Sequence, residues 1–369
     1  MPPAGICRGF ETFLVFASYI EREEICMKQY FAFQWHITDE CDQRCKHCYI
    51  FSEDHGKTLE AMSWDQMQDV VANCWDMCEM YGRLPYFYIN GGDPILHPDF
   101  WRLLELLKEK SIPFTIMGNP FHLSDEVCQR LKNCGCQKYQ LSLDGLEKTH
   151  DWFRKEGSFD CTFDKISCIK RAGIRSVVMT TVSGKNIEEI PEIIDTVVEH
   201  GVDVFAFARY CPTSDEKDTG MTPQRYRELL DVCYQKFKQY EAAGCQTYFY
   251  RKDHLWTLYE YEKGIFKIPE DAQPGVIYGG CNCGNCHLTI LPTGDLYACR
   301  RLNSKVGNLF EDRIADIWVC EMETYREYTK FKKCAMCELL AWCRGCPAVA
   351  YGTTGDFYES DPQCWKEIV

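Results

Sequence analysis

Up to about residue 235 the chain alternates short apolar runs with amphipathic stretches in a regular order. Runs with a period of two, rich in aromatic and β-branched residues, predict strands at Phe31–Thr38, Pro85–Asn90, Pro113–Met117, Lys138–Leu143, Arg175–Val182 and Val202–Phe207. Apolar residues at helical spacing predict helices at Ser63–Tyr81, Pro98–Lys110, Ser124–Asn133, Phe163–Ala172 and Ile187–His200, with a further one at Thr222–Glu241. Six strand-then-helix units imply an α/β fold whose parallel sheet, with right-handed crossovers, is open or curled toward a barrel. The stretch Tyr248–Tyr261 is dense in aromatics and charges and reads as a link between domains. Beyond about Gly275 the periodicity gives way to short turns crowded with cysteine. The expected organisation is an extension over 1–30, the strand–helix domain over 31–240, an aromatic-rich linker over 241–275 and a small cysteine-rich domain over 276–369.

At roughly 150 residues per domain, a length of 369 residues agrees with that division. The net charge of −14 opposes what a phosphate-tracking surface needs and excludes nucleic acid as an expected partner. No apolar run is long enough for a bilayer, and no basic segment leads into an apolar one as in a secretory signal. A cytoplasmic protein with no membrane association is expected. The chain has 25 cysteines, an odd number, and a long chain without an export signal favours reduced thiols that hold metal over disulfides.

The loop after the first strand reads Thr38-Asp-Glu-Cys41-Asp-Gln-Arg-Cys45-Lys-His-Cys48-Tyr49. Three cysteines spaced x3 and x2 can wrap three corners of a [4Fe–4S] cluster and leave one iron open, since a closed cluster takes four thiolates. Three corners of a zinc site with a remote ligand is the competing reading, although zinc ligands normally come in pairs. The C-x3-C-x2-C loop in this position resembles the signature of radical S-adenosylmethionine (SAM) enzymes. The resemblance implies a partial (β/α)6 barrel in which the open iron binds SAM and a 5′-deoxyadenosyl radical is released. It also implies SAM contacts at Gly91, Gly92, Asp93 and Pro94 after the second strand, with Asp93 standing where the family usually has glutamate. Ser142 and Asp144 end the fourth strand, Thr180 the fifth, and Arg209 follows the sixth in corresponding places. His47 occupies the position of an aromatic beside the adenine, and Tyr49 is assigned to the same site. His150, Asp151, Arg154 and Gly157-Ser-Phe159 resemble the family's stretch after the fourth strand.

The second cysteine field comprises Cys281, Cys283 and Cys286, Gly294-x4-Cys299, then Cys334-x2-Cys337-x5-Cys343-x2-Cys346, and finally Cys364. By itself it would suggest zinc, but its two pairs stand closer than a zinc ribbon's. Beside the first domain it resembles a SPASM domain, down to Pro292-Thr-Gly294-Asp and Cys346-Pro-Ala-Val-Ala-Tyr-Gly, and departs only in the x2 spacing after Cys343. The resemblance implies two auxiliary clusters, hence three [4Fe–4S] clusters in all. One would use Cys334, Cys337, Cys343 and Cys364. The other would use Cys299, Cys346 and two of Cys281, Cys283 and Cys286. Cys281 and Cys286 are favoured because Cys283 sits one residue from Cys281. Cys74, Cys78, Cys128, Cys134, Cys136, Cys161, Cys168, Cys233 and Cys245 read as small core hydrophobes. Cys211 lies at the mouth of the barrel, where a thiol could return a hydrogen atom to a substrate radical.

Resemblance to the SPASM group implies maturation of ribosomal peptides by crosslinking, ring formation or epimerisation, with ribosomal-peptide (RiPP) maturases as the nearest kind. The partners would be a precursor peptide with a leader and an electron donor such as flavodoxin or ferredoxin. The extension over 1–30 is shorter than a leader-recognition domain, so a leader would be held by the barrel and linker or by a separate protein. Radical chemistry on a small molecule such as a tetrapyrrole is the alternative, because its enzymes share a similar Gly-Thr-Thr-Gly-Asp tail. A non-catalytic Fe–S carrier or zinc scaffold is a third reading, opposed by the SAM-binding segments.

Overall fold

A computed structural model describes residues 30–51, 58–212 and 219–368. Apart from Tyr30, the N-terminal extension lies outside them. The strands are β1 (Tyr30–Thr38), β2 (Leu84–Gly91), β3 (Phe114–Met117), β4 (Lys138–Ser142), β5 (Arg175–Val182), β6 (Val204–Arg209), β7 (Tyr248–Tyr250), β8 (His287–Ile290), β9 (Asp295–Tyr297) and β10 (Lys305–Asn308). The helices are α1 (Trp64–Met80), α2 (Phe100–Glu109), α3 (Asp125–Asn133), α4 (Glu147–Phe153), α5 (Ser158–Arg171), α6 (Ile190–Glu199), α7 (Pro223–Ala242), α8 (Leu255–Glu262), α9 (Ile314–Cys320) and α10 (Pro347–Thr354). Local chemistry sets several starts. The Ser63 side chain and Gln66 form a capping box on α1, Ser124 caps α3, and Thr222 caps α7 with Pro223 in its first turn.

All ten strands belong to one sheet in the order β10-β9-β8-β1-β2-β3-β4-β5-β6-β7. Strands β1 to β7 run parallel, as the strand–helix alternation requires. The stretch expected to link two domains instead supplies β7 and α8. Phe249 stacks on Phe237 of α7 at 4.4 Å, so its aromatics pack as sheet and core. The cysteine-rich segment also joins the sheet, because β8 pairs parallel to β1 with Ala32 opposite His287 and Trp35 opposite Ile290.

The faces of the strands divide sharply. Phe31, Phe33, Trp35 and Ile37 of β1, with Phe87 and Ile89 of β2, are buried in one core with Met67, Val70, Val71 and Cys74 of α1. Alternate residues such as Gln34, Tyr86, Tyr88, Gln140 and Tyr250 are only half-buried. A parallel sheet packed on both faces would carry continuous apolar runs, so the polar face lines an open interior. Cys74, Cys78, Cys128, Cys134, Cys136, Cys168 and Cys233 are core residues, whereas Cys161 and Cys245 are partly exposed. All described cysteines are free.

The end of β6 is clamped to the segment before α8 and to the C-terminal segment by Arg209, which is 1% exposed. Its Nε donates to Asp253 at 2.9 Å, and Nη1 and Nη2 donate to the two oxygens of Asp361 at 2.6 and 2.8 Å. Nη1 also reaches Gln363 at 2.9 Å. Removing one partner of a buried pair leaves uncompensated charge and costs about 3–5 kcal/mol. Arg209→Ala is therefore expected to lose stability of that order, read as a lower urea midpoint of the metal-free protein.

Candidate functional site

Several chemistry-bearing residues leave the carboxyl ends of the parallel strands, where open α/β sheets bind ligands. After β1 the chain enters the loop of Cys41, Cys45 and Cys48, which lies directly on the end of β2. The Gly92 amide donates to the Thr38 carbonyl at 2.8 Å and the Asp93 amide to that of Glu40 at 2.7 Å. Only glycine permits this approach. A Cβ on Gly91, whose φ is +142°, would fall 2.1 Å from the Thr38 carbonyl oxygen, and one on Gly92 would fall 2.0 Å from that of Glu40. Donors converge on the sulfurs. The Gln43 amide lies 3.4 Å and Asn119 Nδ2 3.8 Å from Cys41 Sγ, and Arg154 Nη1 lies 3.8 Å from Cys45 Sγ. Burial pushes the Cys41 thiol up to about 12 in the metal-free protein. A bound metal would reverse this by stabilising the thiolate.

Asp93 is fully buried, and neither of its oxygens has a well-formed hydrogen bond. The amides of Ile95 and Asn119 approach only loosely, and burial, aided by Asp42, pushes its carboxyl up to about 7. An orphaned buried carboxyl is costly, and its chemistry fits the ammonium group of SAM. Pro94 follows in a short 3-10 turn.

Asp144 is buried and fully used. Its Oδ2 accepts Arg154 Nε at 2.6 Å and lies 3.4 Å from His47 Nε2, while Oδ1 accepts the Thr181 amide at 2.8 Å. Burial would raise its pKa, but Arg154 and His47 outweigh this and hold it well below the carboxylate range. Asp144 thus fixes Arg154 and His47 beside the cysteine loop. Burial lowers His150 to about 4, and its Nδ1 accepts the Asp144 amide at 3.0 Å. The Thr180 hydroxyl is committed to the Leu143 carbonyl at 2.7 Å, and Ser142 remains half-buried on the inner face. Arg209, expected beside SAM, is corrected: its guanidinium is spent on Asp253, Asp361 and Gln363. The enclosed phenol of Tyr49 neighbours Cys211, Arg301 and Cys299.

The second field separates into two groups of thiols. Cys334, Cys337, Cys343 and Cys364, the set that the resemblance implies, influence one another electrostatically. Cys281, Cys283, Cys299 and Cys346 do likewise. The structure therefore brings forward Cys283, while the Cys286 thiol neighbours the phenol of Tyr88.

Between this group and the strands lies an internal space whose wall the sequence did not disclose. Lys252 and Arg301 are surrounded by protein yet keep accessible surface, and so do Tyr49, Tyr88, Tyr250, His254 and His287. Burial, with Arg301 nearby, lowers Lys252 to about 8. Burial lowers His254 and His287 to about 4, leaving both imidazoles neutral at pH 7. No carboxylate among the described residues pairs with Lys252 or Arg301. The available signal was strand parity, since Gln34, His36, Tyr86 and Tyr88 fall on one face.

A parallel-sheet enzyme with a thiol-rich loop at the strand ends and a second thiol field is the class these features define. Residues 35–197 match the model of the radical SAM superfamily, and residues 281–347 match SPASM, an iron-sulfur cluster-binding domain. The chain is a radical SAM enzyme built from a radical SAM domain followed by a SPASM domain, and these domains imply [4Fe–4S] clusters and SAM. It is 26% identical to an AdoMet-dependent heme synthase of Methanosarcina barkeri, over 89% of this chain and 95% of that protein. It is 25% identical to the mycofactocin maturase MftC of Mycolicibacterium smegmatis, over 89% and 81%. The fold matches Streptococcus suis SuiB bound to S-adenosylmethionine with a TM-score of 0.71 at 20% identity, over 96% of this chain and 82% of SuiB. SuiB has also been solved with its precursor peptide SuiA. Among the described residues no helix is long and apolar enough to cross a membrane.

The crowding at Gly92 yields a direct test. Gly92→Ala is expected to displace the cysteine loop at a cost of about 1–3 kcal/mol, the usual range for overpacking. Urea unfolding would read the cost, and equilibrium dialysis of the iron-loaded protein would read an accompanying loss of SAM affinity.

Proposed function

We propose that this enzyme directs hydrogen abstraction to a peptide, installing a crosslink, ring or epimerisation in a ribosomally made precursor. Cys41, Cys45 and Cys48 would hold a [4Fe–4S] cluster with one iron left for SAM, and that cluster would supply the electron for reductive SAM cleavage. Asp93 accepts the SAM ammonium, and Gly91 and Gly92 let the backbone approach it. Arg154, aimed by Asp144, faces the SAM carboxylate, with His47 on the adenine side and Ser142 at the rim. Two further clusters on the SPASM cysteines bring the total to three, and a reduced flavodoxin or ferredoxin supplies electrons.

The observation that carries the peptide reading is the hydrogen-bonding face of the interior, with Gln34, Tyr86, Tyr88, Gln140 and Tyr250 half-buried on β1, β2, β4 and β7. A peptide backbone presents a donor and an acceptor at almost every residue and needs such partners, whereas small-molecule pockets are mostly apolar. A second reading, a tetrapyrrole substrate, is favoured by the heme synthase relatives and by the unpaired Lys252 and Arg301, which suit carboxylates. Anaerobic turnover with reduced, iron-loaded enzyme separates the two. The expected result is 5′-deoxyadenosine formed in step with a mass change in a precursor peptide encoded beside the gene. Turnover with a porphyrin such as Fe-coproporphyrin III, and none with peptide, would establish the second reading.

The position of Asp93 gives a pH prediction. Without metal or SAM, burial pushes its carboxyl up to about 7, and only the carboxylate pairs with an ammonium. SAM affinity is expected to fall as pH drops below about 7, because binding must then expel a proton. Asp93→Asn should abolish that dependence and weaken binding about tenfold to a hundredfold, the scale of a hydrogen bond to a charged group. Equilibrium dialysis across pH 5.5 to 7.5, roughly the window in which the group changes charge, checks both.

A further inference from the structure

Cys211 is absent from the cysteine spacings of the SPASM segment, yet the fold delivers it there. It follows β6 by two residues and is fully buried in a small cluster with Leu302, Cys346, Ala348 and Val349, against which Cys299 packs. Its thiol is hydrogen-bonded with that of Cys346, and Arg301 Nη1 lies 3.9 Å from its sulfur. The meeting is enforced from both sides. Arg209, two residues before Cys211, grips Asp361, and Asp361 Oδ2 accepts the Cys346 amide at 2.7 Å. Gly345, with a φ of +58°, allows Asp361 to close in, because a Cβ there would fall 2.5 Å from its side chain. Next to Cys211, Pro212 meets α10 at Gly352, where a Cβ would fall 2.3 Å from the Pro212 carbonyl oxygen.

We propose that Cys211 is a protein ligand of the auxiliary cluster held by Cys299 and Cys346, completing a set of four with one of Cys281 and Cys283. The proposal rests on the reading that this field holds an iron–sulfur cluster. Cys281 and Cys283 are separated by one residue, so a thiolate from elsewhere in the chain relieves the need for both to bind. Four protein thiolates close the cluster and leave it no open iron for substrate. An iron-bound Cys211 carries no S–H, so the hydrogen-donor role considered from the sequence gives way to ligation.

The test uses the full chain with Cys41, Cys45 and Cys48 changed to Ala, which keeps only the SPASM clusters, reconstituted anaerobically. Adding Cys211→Ser or Cys211→Ala is expected to remove about four irons per chain, the content of one cluster. Failing that, either variant should shift the EPR signal and midpoint potential of one cluster, because its ligand has changed. Cys299→Ala is the reference for loss of that cluster. Iron content, EPR signal and potential equal to the parent's in both Cys211 variants, with iron lost in Cys299→Ala, would overturn the proposal. A parent that binds zinc or no iron would overturn the cluster reading as well, an outcome visible before any Cys211 variant is made.

Discussion

One buried guanidinium joins three parts of the chain that are remote in sequence. Arg209 stands at the end of β6, Asp253 precedes α8, and Asp361 lies in the C-terminal tail. Asp361 passes the constraint on to the Cys346 amide, so the strand ends and the SPASM thiols are set by the same pair of charges. Taking a guanidinium and two carboxylates out of water is expensive, and the cost is met only when the geometry satisfies their hydrogen-bonding groups. Here each nitrogen of the guanidinium donates to an acceptor, and the ring of Tyr226 lies 5.0 Å from it.

The six strands of the first domain were legible because their outward residues are aromatic or aliphatic and alternate with polar ones. Six helices were legible from their apolar spacing, three of them also from capping residues, whereas the short α4, α8, α9 and α10 were not. β7 escaped because three aromatic residues in a charged stretch give no period to read, and its partner in packing is Phe237. The parallel pairing of β8 with β1 escaped because it joins residues some 255 positions apart (Ala32 and His287). At the site, cysteine spacing and the Gly91-Gly92-Asp93 turn were readable because metal ligation and close backbone approach restrict residue type. Arg209 was misplaced because a strand-end arginine looks the same in sequence whether it faces a ligand or a buried carboxylate. Lys252 and Arg301 were unreadable for a related reason: what distinguishes them is the lack of a carboxylate nearby, a property of the folded chain.

The charge distribution also divides between outside and inside. The chain carries a net charge of −14, whereas the internal space is lined by Lys252 and Arg301 with neutral histidines beside them. A low-dielectric wall strengthens such unpaired cations relative to the same groups in water. They face the thiols of Cys281, Cys299 and Cys346 on one side and the strand interior on the other. Anionic clusters and any carboxylate on a substrate would draw on the same positive charge.

The pairing of β8 with β1 bears on how this chain could be divided. With β8 in place, β1 is flanked on both sides, and among the described residues the outermost strands of the sheet are the short β7 and β10. A chain cut before residue 281 would bare the backbone of Ala32–Trp35 as an unprotected edge, open to pairing with another copy. The second domain therefore covers an edge of the first, so excising the radical SAM segment would expose backbone groups that β8 satisfies in the full chain.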